Sequence, residues 1–151
     1  MPTKKNIVDF PAEESKTAVP KSQGQAYAER WGHGALFNKG YVVVPTLFLR
    51  HYATLKPFPI TPGEALFILH LMEFKWDARE PFPGYKLLGR RMGVSDKMAR
   101  RYAKSLETKK YLRRRLRIGQ TNRFDLVPLF DAILKAAAKE AATKKTSRRD
   151  E

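Results

Sequence analysis

One segment, residues 86–123, constrains this chain more than any other part of it. It reads as a helix, a tight turn, a second helix and a hairpin. The first helix, residues 85–92, carries Leu87, Leu88 and Met92 on its apolar side. Gly93 follows where a left-handed residue ends a helix. Val94 anchors the turn, and Ser95 stands where a side-chain oxygen caps a new helix over residues 96–110. Residues 112–118 then read as a strand with Leu112, Leu116 and Ile118 on one side. Gly119, Gln120, Thr121 and Asn122 form a turn, and residues 123–126 return as a second strand.

Upstream, Thr61-Pro62-Gly63-Glu64 starts another helix. Thr61 caps it, Pro62 takes the first helical position and Glu64 completes a capping box. That helix, to Trp76, is apolar on nearly every face and is expected to be the central buried one. The order helix, helix, helix, hairpin predicts a mainly α fold with a small β-hairpin: a winged helix-turn-helix followed by a C-terminal helix.

Charge sharpens this reading. Residues 86–123 hold fourteen basic residues and two acids, Asp96 and Glu107, a surplus of twelve in a chain of formal net charge +15. At 100° per residue, Ala99, Tyr102, Ala103 and Leu106 share one face of the second helix, and Lys97, Arg101, Lys104 and Thr108 lie opposite, flanked by Met98 and Arg100. The small Ala99 and Ala103 allow close packing and leave the cationic face outward. Lys86, Arg90 and Arg91 add charge on the preceding helix. The hairpin offers Arg113, Arg114, Arg115, Arg117 and Arg123, with Gln120, Thr121 and Asn122 as neutral donors at its tip. Such a surface suits a phosphate backbone. The competing reading is a solvated face neutralised by acids, and within the segment only Asp96 and Glu107 are there to do it.

The remainder of the chain frames this unit. Residues 1–23 have few large apolar groups and are expected to form a disordered arm. The winged unit is expected over residues 24–128. It opens with a helix over residues 25–37 that carries Tyr27, Trp31 and Ala35 and is weakened by Gly32 and Gly34. Tyr41 to Val44 is expected as a short strand. Residues 47–55 are expected as a helix capped by Thr46. A C-terminal helix is expected over residues 129–142, with a disordered tail over residues 143–151. Its stripe of Phe130, Ile133, Leu134, Ala137 and Ala141 suits both a fold-back onto the core and, at the alanine-rich end, a weak homodimer.

Several classes are excluded or unsupported. There is no cysteine, so disulfides and thiolate metal sites are out. No apolar run of about 18 residues exists to span a bilayer, and the N-terminus lacks the pattern of a secretory signal. His70 reads as a core or boundary histidine, and His33 and His51 are too isolated to make a metal site with it. No nucleophile elbow, metalloprotease motif, phosphate-binding glycine loop or paired carboxylates point to catalysis. No metal or cofactor is expected, and the composition fits a cytoplasmic, nucleoid-associated binding protein.

The stretches GYVVVPTLFLR, ITPGEALFILHLMEFKW, PFPGYKLLGRRMGVSDKMARRYAKSLETKKYLRR and TNRFDLVPLFDAI resemble a family of bacterial helix-turn-helix proteins of plasmids, phages and other mobile elements. That family is similar to the winged-helix domains of plasmid replication initiators and phage replisome organisers. GRRMGVSDKMARRYAKSLE is the specific part. The resemblance implies that Ser95, Lys97, Met98, Arg100, Arg101 and Lys104 belong to a recognition helix, and residues 115–123 to a wing. The family usually has glycine before the wing strand, where this chain has Lys110-Tyr111. It often has Ser-Asn at the wing's return, where this chain has Thr121-Asn122. The implied function is binding of double-stranded DNA as a transcriptional regulator or accessory factor. The alternatives are a replication initiator or replisome organiser that recruits other proteins, and a low-specificity nucleoid or RNA-binding protein. Exposed aromatics amid the charge would favour RNA. Only Tyr102 and Tyr111 stand within residues 86–123, with Tyr102 expected in the core.

Overall fold

The computed structural model describes residues 23–75 and 79–149, which fall into two compact units divided between Val42 and Val43. The expected N-terminal arm, apart from Gln23, lies outside the described residues, as does Trp76.

In the first unit, helix α1 spans Gln23–Trp31 and a 3₁₀ turn spans Gly34–Phe37. The single helix expected over residues 25–37 is therefore broken. Gly32 breaks it at φ +67°, its N–H donating back to the carbonyls of Ala28 and Glu29. Ala28 and Gly34 are buried, while Trp31 and Leu36 are exposed. Tyr41 to Val44 is not a strand. Among the described residues it joins no ladder, and a strand needs a neighbour whatever its propensity.

The second unit begins with α2, Thr46–His51, and a 3₁₀ turn, Tyr52–Thr54. Pro45, not Thr46, occupies the N-cap, and no side chain caps this helix. Helix α3 spans Pro62–Glu73, and its capping box forms as expected. Thr61 Oγ1 accepts from the Glu64 N–H, and the Thr61 N–H donates to Glu64 Oε2, both at 3.3 Å. Ala65, Phe67, Ile68 and Leu71 are buried on it, while Leu66 reaches solvent.

Helix α4, Tyr85–Met92, ends at Gly93 (φ +70°), and α5, Asp96–Thr108, follows. Strands β1, Arg113–Arg115, and β2, Arg123–Asp125, pair antiparallel with Arg114 opposite Phe124. The hairpin is shorter than expected. Leu112 is buried, but Leu116 and Ile118 are 79% and 104% exposed, so the expected shared inner face fails beyond Leu112. A strap at Pro81 lies beside β2, accepting the Phe124 N–H at 2.9 Å. The fold is thus mainly helical with a two-stranded wing and a C-terminal helix.

One core joins the elements of the second unit. Phe48, Phe67, Leu71, Leu88, Leu106, Leu112, Phe124 and Leu129 are each at most 1% exposed. Phe67 meets Phe124 edge-on at 6.2 Å, a geometry that favours aromatic pairs. Helix α6, Val127–Arg149, packs its first turns on α2 through the buried Leu129 and Ile133. It continues past the expected end at Ala142. Lys144 pairs with Glu140 at 2.7 Å, and Arg148 and Arg149 stand in the last turn, where cations complement the helix dipole.

Candidate nucleic-acid interface

The turn between α4 and α5 is closed by backbone contacts. The Val94 N–H donates to Gly89 O at 2.8 Å, and Ser95 Oγ accepts the Met98 N–H at 3.0 Å. A Cβ at Gly89 would stand 2.7 Å from Val94 O and 3.0 Å from Ser95 O. Gly89 is therefore what lets the turn lie against α4, a role the sequence reading did not assign. Gly93 supplies the left-handed link.

Helix α5 divides as its periodicity predicts. Ala99, Ala103 and Leu106 are fully buried, Tyr102 is half-buried against Phe67, and Lys97, Arg100, Arg101 and Lys104 are exposed. Met98 is half-buried. A second, polar anchor fixes the inner face. Glu64 of α3 accepts from Ser105 Oγ at 2.7 Å and from Lys109 Nζ at 2.9 Å on both carboxylate oxygens. Lys109 Nζ also donates to Pro59 O at 2.9 Å. The C-terminal end of α5 closes in a Schellman motif, with Tyr111 N–H donating to Leu106 O and Lys110 N–H to Glu107 O, both at 3.0 Å. Its left-handed residue is Lys110, φ +65°. Burial pushes the Tyr111 phenol's pKa up, and its hydroxyl donates to Phe58 O.

The wing differs from its sequence reading. Arg113 pairs with Asp125 at 3.1 Å, and Arg115 pairs with Glu80 at 2.8 Å. Arg114 grips Glu107 with two nitrogens, at 2.6 and 3.0 Å. Arg91 meets Glu73 at 2.8 Å and lies over the Phe74 ring. With Lys109, five of the fourteen basic residues have a carboxylate partner. The expectation that acids were too few to pair with the segment thus needs correction. Glu64, Glu73, Glu80 and Asp125 all come from outside residues 86–123, brought in by the fold. The Arg114 hydrogen bonds hold the Glu107 carboxyl below its usual range, and Glu107 in turn raises the Arg114 guanidinium.

Among the described residues, nine cations of the segment have no carboxylate partner: Lys86, Arg90, Lys97, Arg100, Arg101, Lys104, Lys110, Arg117 and Arg123. Arg117 is held by its own turn, donating to Thr121 O at 2.8 Å and stacking over Phe82 at 5.0 Å. Thr121 Oγ1 in turn donates to Phe82 O. Gln120 and Arg123 are exposed at the tip, and Asn122 is half-buried.

Tyr85, the first residue of α4, ties these parts together. Its hydroxyl receives Arg114 Nη1 at 3.1 Å and Asn122 Nδ2 at 3.4 Å. Its ring carries the Arg100 guanidinium at 5.2 Å and meets Phe124 edge-on at 5.9 Å. Helix α5, wing strand and wing turn thus share one side chain. No local sequence signal marks it, since all its partners except α4 itself are distant along the chain.

Residues 60–112, from the start of α3 to the base of the wing, match the model of a family described as a helix-turn-helix domain. The crystal structure of the N-terminal domain of DnaD protein from Geobacillus kaustophilus HTA426 is similar, with a TM-score of 0.56 and 24% identity over 85% of this chain and 99% of that one. This likeness is one of fold. No curated protein matches the sequence. Among the described residues, no helix is long and apolar enough to cross a membrane, and no cluster of His, Asp or Glu is arranged to hold a metal ion.

Proposed function

We propose that this chain binds double-stranded DNA through α5 and the wing, as a transcriptional regulator or accessory factor of a mobile element without catalysis of its own. The observation that carries this is the outer face of α5. Lys97, Arg100, Arg101 and Lys104 stand exposed and free of carboxylates behind a capped N-terminus, on a helix whose other face is locked into the core. That is the presentation a groove-reading helix needs. The proposed contact set is Lys86, Arg90, Ser95, Lys97, Met98, Arg100, Arg101 and Lys104 on the helices, with Arg117, Gln120, Thr121, Asn122 and Arg123 at the wing. Arg91, Arg113, Arg114 and Arg115 reach phosphate only by sharing or leaving their carboxylates.

The test is duplex binding against salt. With about six to ten phosphate contacts, affinity falls by roughly 10³–10⁵ between about 50 and 200 mM salt; a flat response refutes the reading. Arg101→Ala weakens a selected site by about 1–3 kcal/mol when the side chain reads a base, whereas Arg123→Ala weakens all sequences alike.

A second reading is an organiser that recruits other proteins to DNA. The end of α6, residues 138–149, favours it, because it is exposed apart from the contact of Glu140 with His51 at 3.3 Å and offers a surface for a partner. A weak homodimer through the half-buried Ala137 and the exposed Ala141 is the companion proposal. Five cations there, Lys139, Lys144, Lys145, Arg148 and Arg149, oppose Glu140 alone, so self-association strengthens with salt while DNA binding weakens. Sedimentation of the full chain across a salt series separates the two.

A further inference from the structure

The wing tip presents apolar side chains where a phosphate-tracking loop has no use for them. Leu116 is 79% exposed and Ile118 is 104% exposed, two residues apart at the outermost turn. Single exposed apolar residues are ordinary on a protein surface. These two differ in setting. No carboxylate lies between Leu116 and Arg123 in the sequence, and Arg117, between the two apolar residues, and Arg123, on the return strand, have no acid partners among the described residues. A polyanion with apolar planes inside it is the surface that complements both the charge and the apolar pair.

The tip is also braced. Arg117 Nε holds Thr121 O at 2.8 Å across the turn, Gly119 supplies its left-handed residue, and Thr121 fastens the turn to the strap at Phe82. A braced apolar tip resists deflection as it is pressed into a stack of bases.

We propose that Leu116 and Ile118 form a wedge that enters a groove of the duplex and unstacks a base step, so that the protein bends the DNA it binds. Minor-groove proteins that insert Leu or Ile between base steps kink DNA by about 20–90°. Here Arg123 holds a phosphate beside the wedge while Arg117 keeps the turn braced as the step opens. Flexible pyrimidine–purine steps are the cheapest to open, so the wedge adds a preference for such a step beside the sequence read by α5. This inference rests on the DNA-binding reading above.

The experiment uses the full chain and a duplex of about 30 base pairs, selected from a random pool and labelled at both ends. Anisotropy reports binding, and energy transfer between the ends reports bending. A 2-aminopurine moved along the site reports unstacking. The wild-type protein is expected to raise energy transfer and to brighten 2-aminopurine at one or two adjacent positions. The double variant L116S/I118S is expected to bind within about threefold with the same salt slope, and to lose both signals. Its urea midpoint stays unchanged, because neither side chain touches the core. Binding by the wild type with no change in either signal overturns the wedge and leaves the DNA-binding reading standing. The absence of binding fails that reading itself. A variant that bends DNA as the wild type does, or whose only change is in self-association, assigns the tip to another role and also overturns the wedge.

Discussion

Replacing Glu64 tests how α5 is held. Its side chain is 6% exposed and serves two structures at once. It closes the capping box at the start of α3, and it binds Ser105 and Lys109 near the end of α5. Lys109 is 18% exposed and keeps a second acceptor, Pro59 O, if the carboxylate is removed. Breaking a buried pair by deleting one partner costs about 3–5 kcal/mol. The residual access of Lys109 to water and the Pro59 carbonyl place Glu64→Ala near the lower end, about 3 kcal/mol. Lys109→Met leaves the more deeply buried carboxylate unpaired and is expected at about 3–5 kcal/mol. The double variant Glu64→Ala with Lys109→Met removes both charges and leaves neither ion buried without its partner. The lost cap contact, about 1 kcal/mol, and the lost Ser105 hydrogen bond, about 0.5–1.5 kcal/mol, should remain.

The assay is urea unfolding of all four proteins, read at unchanged m-value so that midpoints report stability alone. A Glu64→Ala cost below about 1 kcal/mol would refute a buried tie between α3 and α5. So would a double variant as unstable as the sum of the two single ones, since that leaves no coupling.

Four further outcomes follow from the same geometry. Gly89→Ala should destabilise by about 1–3 kcal/mol despite better helix propensity, because the new Cβ meets backbone at Val94 and Ser95; a stabilised protein in thermal unfolding would contradict that close approach. Tyr85→Phe removes two hydrogen bonds between helix and wing and should cost about 0.5–1.5 kcal/mol. Its wing amides should also exchange faster while those of α3 do not. The depressed Glu107 carboxyl contributes stability that is present above its unfolded pKa and lost as pH falls through its folded one. Wing unfolding should therefore ease on acidification, a trend that Glu107→Gln abolishes. Lys110→Gly relieves a left-handed lysine and should raise stability by about 1 kcal/mol in the urea midpoint.

What was legible in the sequence was local. The capping box at Thr61, the Ser95 cap and the Gly93 turn each depend on residues within one helical turn, and each forms. The two faces of α5 follow from periodicity in the same way. What failed depended on partners elsewhere. Tyr41 to Val44 has strand propensity but no strand to join. Leu116 and Ile118 alternate like inner-face residues, yet the ladder stops at Arg115 and nothing lies above them to bury them. Glu64 was recognised as a cap, while its second task needed Lys109, which lies 45 residues away. Lys110, the one described non-glycine residue at positive φ, stands where the sequence offers no glycine before the wing, and its turn forms all the same.

The wing shows most clearly how charge counted along a chain differs from charge presented to solvent. Each arginine of β1 faces a carboxylate, so the base of the hairpin is close to neutral. Arg113 and Arg115 are themselves largely exposed, and pairs of this kind contribute little stability, about 0–1 kcal/mol each, the buried Asp125 being held by the Val127 N–H as well. Arg114 is the exception, because its two bonds to Glu107 and its third to Tyr85 are half-buried and fix β1 against α5. The pairing has a second effect. It removes positive potential from the hairpin's base and leaves it on the helices, at Lys86 and Arg90 of α4 and the outer face of α5 with Lys110 at its end, and at the Arg117–Arg123 tip. Two separated cationic prongs joined by a near-neutral, aromatic-braced bridge orient a polyanion better than a uniform basic patch, because a shifted or rotated strand loses one prong entirely. The acids that looked absent from the segment are thus part of how it points its charge.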